Sequence, residues 1–192
     1  MIDELILDSR LVSGTMPTEL GLLTNLYRVH LENNFLSGTL PTQLGKLTRL
    51  LALSVYNNHL SGTLPASSSD LNRLYVTQLG DLEVDHNRLS GTIPPNLSRY
   101  TDLVRLSLDH NSLSGTLPSQ LGKLSKLTVL KLSENVLSGT IPPEVCNLNQ
   151  ADFWMYSNFL SGTLPTELGL VQATYMHLEN NQISGTGPRR LE

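Results

Sequence analysis

The amino-acid sequence predicts an α/β solenoid, in which about eight repeats of 23–24 residues stack their short strands into a parallel β-sheet. The first observation is the tripeptide Ser-Gly-Thr, whose serine recurs at positions 13, 37, 61, 90, 114, 138, 161 and 184. The second is an asparagine three residues before each serine, except in the first copy, where Arg10 stands. The third is a set of apolar columns one, six, eight and eleven positions before the serine, weakened at Gln150 and Ala173. The repeats cover residues 1–192, which we take as a single solenoid domain.

The two apolar residues eight and six positions before the serine enclose one other residue, and this alternation is typical of a short strand with one buried face. Stacked repeats would place such strands side by side in a parallel sheet, about 4.8 Å apart. The asparagine follows at the sharp turn after the strand, where backbone groups lose their partners in the sheet. Its amide both donates and accepts hydrogen bonds, so we expect it to connect neighbouring repeats.

The serine begins a second element of each repeat. Seven of the eight copies continue from Ser-Gly-Thr into Met, Leu or Ile and then proline. Glycine permits backbone conformations or close approaches that a Cβ atom would block, and proline biases the preceding residue toward an extended conformation. The segment therefore predicts a second short strand. The following x-x-L-G-x-L predicts one turn of α- or 3-10 helix on the outer side of the repeat.

The composition excludes several classes of protein. The chain has 192 residues, 41 of them leucine, and a formal charge of only −4, so neither disorder nor nucleic-acid binding is expected. No apolar run approaches the length of a membrane helix, and the first ten residues do not resemble a secretory signal. A single cysteine, Cys146, rules out an intrachain disulfide, and no base is visible beside it. Because no catalytic motif is present, we expect neither an enzyme nor a cofactor.

The repeat unit L-x-x-L-x-L-x-x-N-x-L-S-G-T-L-P resembles the plant-type leucine-rich repeat family, and the segment LENNFLSGTLPTQLGKLTRL (31–50) matches it closely. The resemblance implies a right-handed, horseshoe-shaped solenoid with the main parallel sheet on the concave side, a second sheet beside it and helical turns on the convex side. Family members include ectodomains of receptor kinases and polygalacturonase-inhibiting proteins. They bind proteins, peptides or small ligands, chiefly through concave strand residues. The resemblance alone suggests an extracellular or cell-surface location.

Two features depart from the family pattern. The spacing of 29 residues between Ser61 and Ser90 indicates five additional residues, which we expect to form a convex insertion around 66–78. The cysteine-paired end caps of the family are missing. Terminal repeats need a polar cover, so we expect either a longer parent protein or end-to-end self-association through the uncapped coils.

The concave face is the predicted binding surface. The columns nine, seven, five and four positions before the serine hold ten acidic residues and three basic ones. Such a face suits a basic or mixed-charge protein or peptide, and it argues against nucleic acid. Aromatic residues among the acids are typical interface anchors. The predicted partner-binding residues are His30, Glu32, Tyr56, Glu83, Asp85, His86, Asp109, His110, Trp154, Tyr156, Tyr175, His177 and Glu179. The alternative is a solvated face that is kept polar for solubility.

The pairs Asp85-His86 and Asp109-His110 occupy equal positions in adjacent repeats, and their residue types also bind zinc. Consecutive strand residues point to opposite faces unless a turn has begun. We therefore expect an ordinary polar ladder and assign no metal.

Two other functions stay open. The threonines of Ser-Gly-Thr form a regular file along one flank, and this file resembles the threonine rows of ice-binding solenoids; its members are Thr15, Thr39, Thr63, Thr92, Thr116, Thr140, Thr163 and Thr186. A convincing ice-binding surface would show two such files, and threonine is also common in strands for structural reasons. The chain would otherwise be a structural or adhesion segment of a larger surface protein.

Overall fold

Two parallel β-sheets, each of eight strands, run along the computed structural model, which describes residues 2–65, 78–148 and 150–185. In the first sheet the strands follow one another in chain order, one from each repeat. These strands are Glu4–Ile6 (β1), Arg28–His30 (β3), Ala52–Ser54 (β5), Asp81–Glu83 (β7), Arg105–Ser107 (β9), Val129–Lys131 (β11), Asp152–Trp154 (β13) and Met176–His177 (β15). They pair in register, so that Lys131 lies between Ser107 and Trp154.

The second sheet is built from the Ser-Gly-Thr segments, as the sequence predicts. Its strands are Ser13–Thr15 (β2), Phe35–Thr39 (β4), His59–Thr63 (β6), Arg88–Thr92 (β8), Ser112–Thr116 (β10), Val136–Gly139 (β12), Phe159–Thr163 (β14) and Gln182–Ser184 (β16). Short 3-10 helices follow in six repeats, at Thr18–Leu22 (η1), Thr42–Lys46 (η2), Pro95–Arg99 (η3), Ser119–Lys123 (η4), Pro143–Asn147 (η5) and Thr166–Leu170 (η6). Two all-parallel sheets joined by these turns confirm the predicted solenoid class.

The apolar columns of the repeat form the core. In the fifth repeat the residues eleven, eight, six and one position before Ser114 are Leu103, Leu106, Leu108 and Leu113, and all four are fully buried. Equivalent residues of neighbouring repeats belong to the same hydrophobic cluster, which continues along the solenoid. Each repeat therefore depends on its neighbours to bury its leucines, because one coil alone has no interior.

The asparagine column forms a buried ladder between repeats. The Nδ2 atom of Asn135 donates to the carbonyl oxygens of Leu132 and Ser133 in its own repeat and to that of Leu108 in the preceding one, each at 3.1 Å. Its Oδ1 atom accepts a hydrogen bond of 2.9 Å from the backbone N–H of Leu113. Similar bonds are made by Asn34, Asn58, Asn87, Asn111, Asn158 and Asn181. The predicted role of the asparagine is confirmed.

Glycine is required at two points of the repeat. Gly115 has a φ of 77°, and a Cβ atom there would lie 2.9 Å from Cγ2 of Thr92 in the preceding repeat. Gly122 lies in η4, where a Cβ atom would overlap the backbone carbonyl of Glu144 in the next repeat. Left-handed backbone explains the first position, and close contact between adjacent 3-10 helices explains the second.

Some predictions concern parts that the structure does not describe. The expected insertion around 66–78 falls almost entirely outside the described residues, so the insertion and the single-domain boundary both stay predictions. The described helices are all five-residue 3-10 turns, and none of them could cross a lipid bilayer.

Candidate ligand-binding face

The outward side of the first sheet, here called the first-sheet face, carries the predicted partner-binding residues. They alternate with buried core residues along the odd-numbered strands or lie in the turn directly after each strand. Because side chains two residues apart share one face of a strand, the columns seven and five positions before the serine form adjacent rows across the sheet. The repeat therefore brings residues about 24 positions apart into contact.

The turn after each strand begins at the column four positions before the serine. All eight residues of this column have left-handed backbone, with φ between 50° and 57°. This early turn lets consecutive residues face each other, and Nδ1 of His86 lies 3.0 Å from Oδ2 of Asp85. The same arrangement recurs in the next repeat, where Nδ1 of His110 lies 3.2 Å from Oδ2 of Asp109.

The two histidines stack on each other, with ring centroids 4.0 Å apart and an angle of 11° between the rings. Ligand atoms of His86, Asp109 and His110 lie within 4.8 Å of one another, a spacing that a metal ion could bridge. Imidazole lone pairs lie in the plane of the ring, however, so those of two stacked rings lie in nearly parallel planes and do not converge on one point. The stacked geometry is that of a polar ladder, and the assignment of no metal stays a prediction. Burial raises the pKa of Asp85, while its hydrogen bond with His86 opposes that shift.

The basic residues of the face are mostly engaged by neighbouring acids. Nη1 of Arg28 lies 3.1 Å from Oε1 of Glu4. Arg105 reaches both Asp81, at 3.9 Å, and Glu83, at 3.5 Å. These ion pairs connect adjacent strands, and both arginines take part in them. The remaining acids leave the face with an excess of negative charge.

Two predicted acids are less accessible than the sequence indicated. Asp109 is only 9% exposed. Glu32 lies 3.2 Å from His30, and its other carboxylate oxygen, Oε2, is buried without a hydrogen-bond partner among the described residues. A ligand would meet these groups at the bottom of the face and not at its rim.

An aromatic cluster lies at the C-terminal end of the face. The Trp154 and His177 rings stack with centroids 4.4 Å apart, and Tyr175 lies 5.9 Å from Trp154. Tyr175 is 52% exposed. Tyr156, which lines a pocket together with Trp154, is half-buried, as is Tyr56 elsewhere on the face. His177 also pairs with Glu179, at 3.2 Å. The sequence predicted these residues, although it did not show that Trp154 stacks on a histidine.

The sequence analysis missed three residues that shape the face, namely Arg105, Lys131 and Ser133. Arg105 connects the predicted Glu83 to Asp81, and Lys131 and Ser133 line a pocket beside Trp154. All three stand in the columns that the sequence defined. Their position in the repeat could therefore have identified them. Selection by residue type found only the aromatic, acidic and histidine members of the same columns.

The threonine file lies on the second sheet, away from this face. Its described members are all exposed: Thr15, Thr39, Thr63, Thr92, Thr116, Thr140 and Thr163. Thr186 lies outside the described residues. Thr92, Thr116 and Thr140 border a surface groove together with prolines of the same repeats. The neighbouring serine hydroxyls are engaged, since Ser37 donates to the carbonyl of Gly14 at 3.2 Å and the pattern repeats.

Cys146 is buried in η5 and forms no disulfide. Burial raises the pKa of its thiol to about 11, and the charge of Glu167 adds to the shift. The thiol is therefore protonated at neutral pH, which is typical of an unreactive structural cysteine.

The chain belongs to the leucine-rich repeat family. The Leucine Rich Repeat model matches residues 25–47, 78–100, 102–124 and 126–148. The BIR2 ectodomain from Arabidopsis thaliana is 32% identical, with a TM-score of 0.59, and the match covers 69% of this chain and 68% of that one. No curated protein sequence gives a significant match.

Larger receptor ectodomains are more similar in structure. The ectodomain of the Arabidopsis thaliana receptor kinase GASSHO1/SCHENGEN3, solved with CASPARIAN STRIP INTEGRITY FACTOR 2, is 37% identical, with a TM-score of 0.88. The Arabidopsis receptor kinase HAESA, solved with the peptide hormone IDA and the co-receptor SERK1, is 35% identical, with a TM-score of 0.86. The matches cover 94% and 93% of this chain but only 22% and 30% of the receptor chains. This chain thus spans less than a third of either ectodomain.

A plant ice-binding protein shares the fold alone. It is 22% identical, with a TM-score of 0.70, and the match covers 95% of this chain and 74% of that protein. At this identity the likeness concerns the solenoid and not the surface that binds ice.

Proposed function

We propose that this chain is a non-catalytic recognition module that binds a peptide or protein partner on its first-sheet face. The observation that carries the proposal is the aromatic cluster of Trp154, Tyr175 and His177, which lies on an acidic sheet face. Aromatic side chains supply large contact area with little loss of conformational entropy, so they anchor many interfaces. The two similar receptor ectodomains were solved as complexes, and this supports a binding role.

The charge of the face defines the class of partner. Arg28 and Arg105 are paired with acids of adjacent strands, so the negative charge of the other acids is not neutralised within the face. An approaching basic or mixed-charge peptide would be attracted, and a nucleic acid would be repelled. Extended peptides also suit a broad open sheet, because they can place successive side chains against successive strands.

The experiment is selection of random linear 12-residue peptides displayed on phage against the immobilised chain. Peptides enriched over blank beads are then tested on a variant that carries Trp154→Ala, Tyr175→Ala and His177→Ala. We expect at least a tenfold loss of affinity, since each removed anchor is worth roughly 1 kcal/mol or more. The matched control carries Thr92→Ala, Thr116→Ala and Thr140→Ala on the second sheet and should bind as the wild type does.

Two results would contradict the proposal. One is that no peptide is enriched. The other is that enriched peptides bind the aromatic variant as well as the wild type, which would move the site to another surface. Circular dichroism on each variant establishes that the fold is retained.

Ice binding is a second candidate, favoured by one observation: every described threonine of the file is exposed. The purified chain would then show thermal hysteresis and inhibit ice recrystallisation, and the threonine control variant would lose both effects. The structure provides one regular file beside a groove, and for this reason we rank ice binding below peptide recognition.

A further inference from the structure

A pocket of about 170 Å³ opens on the first-sheet face and is lined by Asp109, Lys131, Ser133, Trp154 and Tyr156. Two neighbouring rows of the sheet create it. Lys131 pairs in register with Trp154, and the backbone bonds His110 N–H to Ser133 C=O and Glu134 N–H to Tyr156 C=O continue the alignment into the next row. Ser133 thus stands between Asp109 and Tyr156. Its side chain is the shortest of the three, so the row is indented at this point.

Two residues that line the pocket each carry a buried polar atom that is unsatisfied. Ser133 is 1% exposed and Asp109 is 9% exposed, yet neither the Ser133 hydroxyl nor Oδ1 of Asp109 has a hydrogen-bond partner among the described residues. Buried polar groups are nearly always hydrogen-bonded, so exceptions of this kind need an explanation. Both atoms belong to residues that line the same pocket, and a bound group would satisfy them together.

The charges around the pocket limit what this group can be. Oδ2 of Asp109 is already engaged by His110, at 3.2 Å, which leaves Oδ1 as a free acceptor. Lys131, in the adjacent row of the face, takes part in no ion pair with a described residue. A cationic group would be attracted by the Asp109 carboxylate but repelled by the Lys131 ammonium. An anionic group would be attracted by the ammonium and repelled by the carboxylate. A neutral group that accepts at one end and donates at the other satisfies both.

We propose that this pocket binds the side-chain amide of an asparagine or glutamine from a peptide held on the first-sheet face. The amide N–H₂ would donate to Oδ1 of Asp109, the amide oxygen would accept from the Lys131 ammonium, and the Ser133 hydroxyl would complete either bond. The planar amide would lie against the rings of Trp154 and Tyr156. This proposal depends on the proposed function and names the group that the face selects.

The test compares peptide selection on the wild type with selection on a variant whose pocket is filled by a larger side chain. The 12-residue library is panned on the wild type and, separately, on Ser133→Leu, whose larger side chain occupies the indentation. We expect wild-type peptides to share an asparagine or glutamine at one position and to lose at least about tenfold in affinity on Ser133→Leu, the effect of losing one or two good hydrogen bonds. A synthetic peptide with that amide changed to the corresponding carboxylate should show the same loss on the wild type.

Further variants make the result independent of any folding defect in Ser133→Leu. Lys131→Met keeps most of the side-chain volume and should weaken the same peptides by about tenfold. The matched control is Lys123→Met, the same change at an exposed lysine of η4, and it should leave binding unchanged. Trp154 is the single tryptophan of the chain, so its fluorescence reports occupation of the pocket directly.

The outcomes separate this inference from the proposed function. Peptides that bind wild type, Ser133→Leu and Lys131→Met equally, but lose binding with the aromatic triple variant, would overturn the amide pocket and leave the recognition face intact. Peptides that depend on Ser133 but carry a conserved acidic, basic or apolar residue there would also overturn it. Failure to enrich any peptide over blank beads would reject both proposals.

Discussion

The asparagine ladder can be tested by removing one of its members, Asn135→Ala. Asn135 is 6% exposed, and its amide makes four hydrogen bonds: it donates to the carbonyls of Leu108, Leu132 and Ser133 and accepts from the N–H of Leu113. The substitution would leave a buried N–H group without a partner, at a cost of roughly 1–3 kcal/mol, and it would weaken three carbonyl interactions. We therefore expect the free energy of unfolding to fall by about 3 kcal/mol.

The assay is urea unfolding followed by far-UV circular dichroism and by the fluorescence of Trp154, one repeat away from the substitution. Asn147→Ala is the matched control, because Asn147 is exposed at the end of η5 and should cost less than about 0.5 kcal/mol. If Asn135→Ala costs no more than this control, the ladder does not stabilise the stacking of repeats and the reasoning is wrong. A loss confined to the fluorescence transition would instead show that only the C-terminal repeats separate.

Three further predictions follow from individual positions. Gly122→Ala should destabilise the protein by roughly 2 kcal/mol or more, because the added Cβ would overlap the carbonyl of the next repeat and force two 3-10 helices apart; thermal unfolding measures this. Cys146 should react with iodoacetamide at about pH 8 far more slowly in the native protein than in urea, because burial raises its pKa to about 11 and keeps the thiol protonated. As the pH rises through the ordinary aspartate pKa of 3.8 and above it, Asp85→Asn should gain stability relative to the wild type, because a carboxyl group whose pKa is raised on folding favours the native state only while it is protonated.

Each of these predictions has its own control. Gly80→Ala should be nearly neutral, because its Cβ would lie 3.6 Å from the nearest atom, an ordinary contact. Equal alkylation rates in native and unfolded protein would show that Cys146 is accessible. A difference in melting temperature between Asp85→Asn and the wild type that stays constant with pH would mean that the hydrogen bond from His86 fully offsets the effect of burial.

The fold was predictable from the sequence because each position of the repeat meets the same physical requirement in every copy. Each column has one environment along the solenoid: leucine in the core, asparagine in the ladder, glycine where a Cβ atom has no room. Eight similar copies average out local ambiguity, so both sheets and the short helical turns were predictable, although the choice between α- and 3-10 helix was not. The same columns also identified the first-sheet face and its acidic, aromatic character.

The finer structure of that face was decided only by tertiary contacts. The sequence does not show that the turn starts at His86, that Trp154 stacks on His177, or that Asp109 is buried in a pocket indented at Ser133. These features depend on side-chain sizes in neighbouring strands, between residues that are about 24 positions apart in the chain. A repeat period determines which residues become neighbours, but the space and the unpaired atoms left between them depend on how those particular side chains pack.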